Sequence, residues 1–250
     1  MKDLGATSYI LGMEINKDRK NRKLWLGQSK YISIVVERFN MLDCKQLVVP
    51  MLQGTKLSVE DCPKSSTEKE DMAKVPYASA IGSLMCAIVC TRLDIAQAVG
   101  VLSQFMANPG RLHWDAMKRV FRYLKGTSQY ALCYHGNLVG SQRTVSIQGY
   151  VDSGWAGDID NKRSTSRYVF TLNGGAISWM RKQQVVVTLS TTETEYMTTT
   201  HAYQEVVWLK RLCYAVEFNA GHISICYDSQ SAICLAKNPT FHARTKHVDV

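Results

Sequence analysis

The sequence feature that most constrains the fold is a change in hydrophobic periodicity near residue 144. Before it, apolar residues recur mainly at helical spacing; after it, they fall in short runs typical of strands. The later runs predict strands at 145–152, 168–172, 176–189 and 223–227, with helices at 191–217 and 230–237. This order, β-β-β-α-β-α, predicts an α/β domain over 144–250.

The upstream region, 1–143, is predicted to be α+β and mainly helical. Its first part predicts a hairpin, in which strands at 8–15 and 24–26 flank a basic turn. Helices are predicted at 29–39, 77–90, 93–106 and 111–125. Between them, residues 50–75 are polar and are predicted to form a linker or an exposed loop.

Composition narrows the class of protein. Hydrophobic residues make up 46% of the 250 residues and charged residues 20%, which is ordinary for a folded soluble domain. No apolar run approaches the roughly 18 to 20 residues of a membrane span, and the N-terminus lacks the apolar core of a signal peptide. The eight cysteines are scattered without a CxxC pair, which disfavours zinc sites and disulfides. We therefore expect an intracellular protein without a membrane partner.

The charge is uneven along the chain. Residues 1–143 contain 20 Lys and Arg against 12 Asp and Glu, whereas residues 144–250 contain 10 against 9. A basic excess upstream indicates a polyanion-binding surface, although solubility alone would also account for it. Candidate nucleic-acid contacts are the basic residues on one face of the helix at 111–125, namely Lys118, Arg119, Arg122 and Lys125.

Three acids lie in distinct settings in the downstream domain. Asp152 ends an alternating run, Glu195 lies near the start of the long helix, and Asp228 follows a short apolar run. Acids at two strand ends and a helix start can converge and hold a divalent metal. Each also has a structural interpretation, such as a turn at Asp152 or a helix cap at Asp228.

Two glutamates compete for the helix position. Ser190 and Glu193 form an S-x-x-E capping box, which gives Glu193 a structural role. Helical steps from Glu195 reach an apolar stripe made of Thr199, Ala202, Val206, Leu209 and Cys213. A carboxylate at the head of such a stripe is costly unless it is paired or bound to metal, so Glu195 is the predicted functional acid.

These motifs resemble the ribonuclease H region of the Pol polyprotein of plant copia-type retrotransposons. The matching segments are GYVDSGWAGD (149–158), KRSTSRY (162–168), LSTTETEY (189–196), WLKRL (208–212), DSQSAI (228–233) and HARTKHVD (242–249). Upstream, the segments MKDLG (1–5), ILGMEI (10–15), VPYASAIGSL (75–84) and RYLKGT (122–127) resemble the reverse transcriptase thumb and connection of the same polyprotein. The resemblance covers essentially the whole chain.

The resemblance implies a ribonuclease H-like mixed sheet with flanking helices behind a reverse transcriptase remnant. In that family, four carboxylates hold two Mg²⁺ ions, or Mn²⁺, and the enzyme cuts the RNA strand of an RNA–DNA hybrid. Asp152, Glu195 and Asp228 match three of the four carboxylates, both as metal ligands and as catalytic residues. The chain would be part of a larger polyprotein, acting in a cytoplasmic virus-like particle and in the nucleus.

The chain also departs from the pattern. The fourth carboxylate belongs to a motif expected beyond Val250, and Asp249 is a candidate substitute from a different part of the pattern. We therefore expect a C-terminally truncated domain that lacks its last strand and cleaves weakly or not at all. The reverse transcriptase's paired aspartates are expected before Met1, so DNA synthesis by this chain alone is not expected. Arg167 stands where the family often has glycine, which would cost roughly 1 kcal/mol if the position needs a positive φ.

Two other functions compete with the enzyme. One is a catalytically inactive nucleic-acid-binding remnant that keeps the basic upstream surface. The other is a related phosphoryl-transfer enzyme such as an integrase, which the motifs at 189–196 and 228–233 match less well.

Overall fold

The computed structural model describes residues 7–136, 146–218 and 221–237. The chain forms two compact units, unit 1 (Met1–Cys133) and unit 2 (Tyr134–Val250). The predicted boundary between residues 143 and 144 lies outside the described residues, and the units divide earlier. Helices accompany a four-stranded sheet in both parts of the chain, which confirms the predicted α/β class.

The first sheet begins with a hairpin. Its strands, in spatial order, are β1 (Tyr9–Ile10), β2 (Met13–Asp18), β3 (Lys23–Gly27) and β4 (Ala131–His135). The single strand predicted at 8–15 is wrong, because Leu11 and Gly12 both have positive φ and turn the chain between β1 and β2. Strand β4 was not predicted.

Five helices accompany this sheet: α1 (Ser29–Arg38), α2 (Ser66–Ala73), α3 (Tyr77–Cys90), α4 (Ala96–Leu102) and α5 (Arg111–Gly126). Four of them, all but α2, share one apolar core that contains Ile81, Val99 and Phe121. The linker predicted at 50–75 is wrong over α2, which a reciprocal capping box between Ser65 and Glu68 starts. No described helix is by itself long and apolar enough to cross a membrane, and α2 and α3 pass that test only as a bent pair.

A buried arginine ties the end of α5 to the turn between α3 and α4. Arg92 is 1% exposed, and its guanidinium donates to both carboxylate oxygens of Asp94 and to the carbonyl and hydroxyl of Thr127. Tyr123 donates its hydroxyl hydrogen to the same Asp94. Because a buried charge is costly unless it is paired and hydrogen-bonded, these contacts account for the position of Arg92.

Unit 2 contains the predicted order β-β-β-α-β-α. The elements are β5 (Ile147–Gly154), β6 (Thr165–Leu172), β7 (Gly175–Gln183), α6 (Thr191–Ala215), β8 (Ser224–Cys226) and α7 (Gln230–Lys237). The sheet order is β7-β6-β5-β8, antiparallel except that β8 runs parallel to β5. The third strand ends at Gln183, so the prediction that it continues to Leu189 is wrong.

Helix α6 covers one face of this sheet. Ala202, Val206 and Leu209 pack in one core cluster with Val151 and Phe170. Successive side chains of a strand point to opposite faces, so Val151 faces the helix and Asp152 the other side. This alternation determines where the candidate catalytic side chains lie.

Gly149 in β5 is a packing constraint. A Cβ atom there would overlap the Phe170 ring, which lies directly opposite on β6 and is fully buried. We expect Gly149→Ala to lower the free energy of unfolding by about 1–3 kcal/mol through overpacking. Urea denaturation checks this against Gly157→Ala, whose added Cβ would meet no atom within 4 Å. Equal urea midpoints for the two variants would contradict it.

Candidate active site

The start of α6 is fixed by its cap. The Ser190 hydroxyl accepts a hydrogen bond from the backbone N–H of Glu193, and the Glu193 carboxylate accepts one from the N–H of Leu189 at 2.9 Å. Glu193 therefore has the capping role that the sequence predicts. Its negative charge also lies in the first turn of the helix, where the helix dipole favours it.

A buried network of hydroxyl groups joins this helix start to β6, and we call it the hydroxyl network. It consists of Ser164, Ser166, Thr188, Thr194, Thr198 and the amide of Gln184, each at most 5% exposed. Thr188 and Thr194 hydroxyls lie 2.6 Å apart, and Thr198 donates to Ser166 at 2.8 Å. The Gln184 amide donates to Ser166 at 2.9 Å. Polar groups buried this deeply are tolerated because they bond one another.

The sequence contains a signal for this network. Ser164 and Ser166 are two apart, so they share one face of a strand. Thr194 and Thr198 are four apart, so they share one face of a helix. Hydroxyls at period two facing hydroxyls at period four indicate a polar strand–helix contact, which hydrophobic periodicity alone does not reveal.

A second polar contact fixes α6 further along. The Glu205 carboxylate accepts hydrogen bonds from Ser178 at 2.6 Å and from Tyr168 at 3.2 Å, so it connects the helix to β7 and β6. Burial and the negative charge of Glu205 raise the pKa of Tyr168 to about 12. The tyrosine therefore remains a hydrogen-bond donor throughout the neutral range.

Glu195 lies beside the buried face of α6. The buried residues at the start of the helix are Thr194 and Thr198, and the predicted stripe is confirmed at Ala202, Val206 and Leu209. At the start of the helix the stripe was predicted one residue too far along the chain, because Glu195 and Thr199 are only partly buried. The Glu195 Oε1 atom accepts a hydrogen bond from the Ser153 hydroxyl at 2.7 Å, whereas Oε2 is buried without a hydrogen-bond partner.

The structure brings the three predicted acids within electrostatic range. Burial raises the pKa of Glu195, the Ser153 hydrogen bond lowers it in part, and the charges of Asp228 and Asp152 raise it again. Asp152 lies on β5, and Asp228 follows β8, which is the parallel neighbour of β5. Both aspartates are exposed. Like charges within electrostatic range of one another favour the binding of a cation near them.

Asp152 has a cationic partner. The Arg167 Nη2 atom lies 3.0 Å from Asp152 Oδ2, and the two residues are directly opposite on β5 and β6. Arg167 lies within a regular strand and is not among the residues with positive φ, so the condition under which arginine would strain the backbone there is not met. The ion pair is half-exposed, with Asp152 at 59% and Arg167 at 36%.

Some of the described carboxylate oxygens near Glu195 suit a hard divalent cation, but they are not already arranged as a complete metal site. Carboxylate oxygens are the ligands that Mg²⁺ prefers, and the buried, unpartnered Oε2 atom of Glu195 is available as one. In the described residues, however, no three His, Cys, Asp or Glu side chains are already arranged to hold a metal together. Direct ligation through Asp152 Oδ2 would require that atom to leave Arg167. Asp249, the candidate fourth acid, lies outside the described residues.

The four predicted basic contacts belong to unit 1, and three of them have structural partners. Arg122 and Lys125 donate to the backbone carbonyls of Lys45 and Cys44, at 2.7 and 2.8 Å. Lys118 forms an ion pair with Asp115 at 2.9 Å. The Nε atom of Arg119 is buried without a hydrogen-bond partner. A nucleic-acid role for this face stays a prediction.

Known proteins resemble the chain along its whole length. The Retrovirus-related Pol polyprotein from transposon TNT 1-94 of Nicotiana tabacum is 51% identical over 250 residues, which is all of this chain and 18% of that protein. The polyprotein from transposon RE2 of Arabidopsis thaliana is 36% identical over 241 residues, 96% of this chain and 16% of its own length. The chain thus spans less than a fifth of these polyproteins.

A shorter relative matches part of the chain. Secreted RxLR effector protein 161 of Plasmopara viticola is 51% identical over 138 residues, which is 55% of this chain and 94% of that protein. No protein-family model matches the chain, and no solved structure matches it. The relatives therefore show which proteins this sequence is similar to, whereas the candidate site is defined by the geometry described above.

The hydroxyl network makes a prediction about stability. We expect Thr194→Val to lower the free energy of unfolding by about 1–3 kcal/mol, because it removes the hydroxyl that bonds the buried hydroxyls of Thr188 and Ser164 and leaves those two with fewer partners, chiefly each other. Valine keeps the shape and branching of threonine, so the loss reports the hydrogen bonds. Thr191→Val, at an exposed position of the same helix, is the matched control in urea denaturation. Equal urea midpoints for Thr194→Val and Thr191→Val would contradict this prediction.

The raised pKa of Glu195 predicts a pH-dependent effect of its charge. At neutral pH the folded state disfavours the carboxylate, so Glu195→Gln should raise the urea midpoint. The gain should shrink as pH falls through the raised folded pKa and vanish below the ordinary value of 4.5, because both states of the wild type are then protonated. Glu217→Gln, at an exposed position, serves as control. A gain that grows on acidification would contradict the assignment.

Proposed function

This chain belongs to the retrovirus-related Pol polyproteins of copia-type plant retrotransposons, and on that basis we propose that unit 2 is a ribonuclease H-type domain. Its substrate would be an RNA–DNA hybrid, of which it hydrolyses the RNA strand. Unit 1 would be the C-terminal thumb and connection part of the reverse transcriptase that makes this hybrid. Both units would act as parts of the larger polyprotein.

The observation that carries the proposal is the contact of Glu195 with β5 beside Asp152, because the Glu195 carboxylate accepts a hydrogen bond at 2.7 Å from Ser153, the next residue along that strand. The three acids come from the first strand of the antiparallel meander β5-β6-β7, from the helix that follows the meander, and from the residues just after β8, the parallel neighbour of β5. Three separate elements thus supply carboxylates that lie within electrostatic range of one another. A purely structural role for each acid would not require their proximity.

The chain's own residues have distinct roles in the proposed reaction. Ser153 donates to Glu195 Oε1 and so orients the carboxylate, leaving Oε2 free to bind a cation. The hydroxyl network anchors the helix turn that carries Glu195, because Thr194 precedes it directly. Asp152 and Asp228 would supply the other oxygens. Mutual repulsion among the three carboxylates provides the drive to bind positive charge.

Divalent cations such as Mg²⁺ or Mn²⁺, when bound, would activate the attacking water and neutralise charge on the scissile phosphate. Asp152, Glu195 and Asp228 are the residues that would hold them. A hybrid differs from duplex DNA in groove shape and in the 2′-hydroxyls of one strand, so recognition would follow shape more than sequence. The excess of basic residues in 1–143 would favour any polyanionic substrate.

Cleavage of a labelled RNA–DNA hybrid tests the proposal. With Mg²⁺ we expect weak scission of the RNA strand, which falls by about 100-fold or to background in Asp152→Asn, Glu195→Gln and Asp228→Asn. Asp71→Asn removes an exposed carboxylate in unit 1 and should cleave as the wild type does. Duplex DNA of the same sequence should remain intact.

Two results would contradict the enzyme. Equal cleavage by wild type and Asp152→Asn would assign the activity to a contaminant. No cleavage by a folded wild type that still binds the hybrid, with a steep salt dependence, would favour the inactive nucleic-acid-binding remnant. The ion pair between Asp152 and Arg167 is the observation that favours this second function, because it occupies one proposed ligand.

A further inference from the structure

We infer that Arg167 is an internal counter-cation for Asp152 and competes with divalent metal ions for this carboxylate. The inference rests on the proposed function, since it takes Asp152 to be a metal ligand. It concerns what sets the affinity of the site rather than which reaction the site performs. Arg167 would be a residue that tunes metal binding without touching the substrate.

The strand register places the arginine at the carboxylate. Asp152 and Arg167 are directly opposite on β5 and β6, so their side chains emerge on the same sheet face. Arg167 Nη2 lies 3.0 Å from Asp152 Oδ2, which is a charge-assisted contact. The same atom would lie 3.2 Å from a Cβ added at Gly154, so the guanidinium extends along β5 over this glycine.

Asp152 is the carboxylate on which Arg167 depends. In the described part of the chain, no other acidic group lies within ion-pair distance of Arg167, and its Nε atom is buried without a hydrogen-bond partner. The residue opposite Arg167 on β7 is Arg181, a second cation on the same face. Burial and the charge of Arg167 lower the pKa of Arg181. Repulsion from β7 thus favours placing the Arg167 charge toward Asp152.

The pair is weak enough to be displaced. Both side chains are more than a third exposed, and exposed ion pairs contribute little because solvent screens them. A divalent cation carries twice the charge and would also gain from Glu195 and Asp228. Metal binding therefore exchanges one cation for another at Asp152. The exchange lowers the apparent metal affinity and leaves the site functional.

The test measures Mn²⁺ binding to the full chain, without nucleic acid, from the loss of the free Mn²⁺ signal in electron paramagnetic resonance. We expect Arg167→Gln to bind Mn²⁺ about fivefold more tightly than the wild type, because the competing charge is gone. Arg167→Lys keeps the charge and should remain within about twofold of the wild type. Circular dichroism confirms that each variant is folded.

Lys182→Gln is the matched control. It removes one positive charge from the strand beside β6, but Lys182 lies opposite Ser166 and thus on the other sheet face. A general charge effect would tighten Mn²⁺ binding equally in Lys182→Gln and Arg167→Gln, which would overturn the inference. In the background of Asp152→Asn, the gain from Arg167→Gln should disappear, since the contested ligand is absent.

The outcomes separate the inference from the proposed function. If wild type binds Mn²⁺, Glu195→Gln weakens binding, and Arg167→Gln leaves it unchanged, the metal site stands and the competition is wrong. If neither the wild type nor Arg167→Gln binds Mn²⁺ while folded, the metal site of the proposed function is wrong, and the inference fails with it. Tighter Mn²⁺ binding by Arg167→Gln, without a matching gain in Lys182→Gln, supports both the metal site and the competition for Asp152.

Discussion

The geometry of unit 2 depends on the hydroxyl network more than on any single apolar contact. Hydrophobic burial holds α6 against the sheet along Ala202, Val206 and Leu209, but apolar packing is tolerant of small shifts along the helix axis. Hydrogen bonds are not, because their strength falls steeply with distance and angle. The 2.6 Å contact between Thr188 and Thr194 therefore sets the register of the helix start, and through it the position of Glu195.

The three acids are supported differently by this framework. Asp152 is held by backbone pairing with Arg167 on β6, and Glu195 by the helix cap and by Ser153. Arg167 balances the charge of Asp152, and a bound cation would balance the charge of Glu195. Charge compensation and backbone register are thus the two constraints that define the site.

Sequence periodicity predicts much of this fold because long elements repeat their signal. Helix α6 and the order of strands and helices along unit 2 follow directly from this periodicity. The errors occur where local chemistry overrides periodicity. A positive φ at Leu11 breaks the strand predicted at 8–15, and residues 185–189 have strand propensity but pair with no strand in the described residues. The motifs mark the three acids in the sequence, whereas Arg167 was missed as a partner of Asp152 because strand register is not visible in a linear sequence.

The shortness of β8 has a consequence for how the site comes apart. Only Gln148, Gly149 and Tyr150 pair with it, so Asp228 depends on three residues of ladder, against eight for the pairing of β5 with β6. Elements with few buried contacts open at a lower free-energy cost than the domain as a whole. Partial unfolding would therefore release Asp228 first and leave Asp152 and Glu195 in place. The free-energy cost of separating the three acids is therefore set by β8, the shortest strand of unit 2 among the described residues.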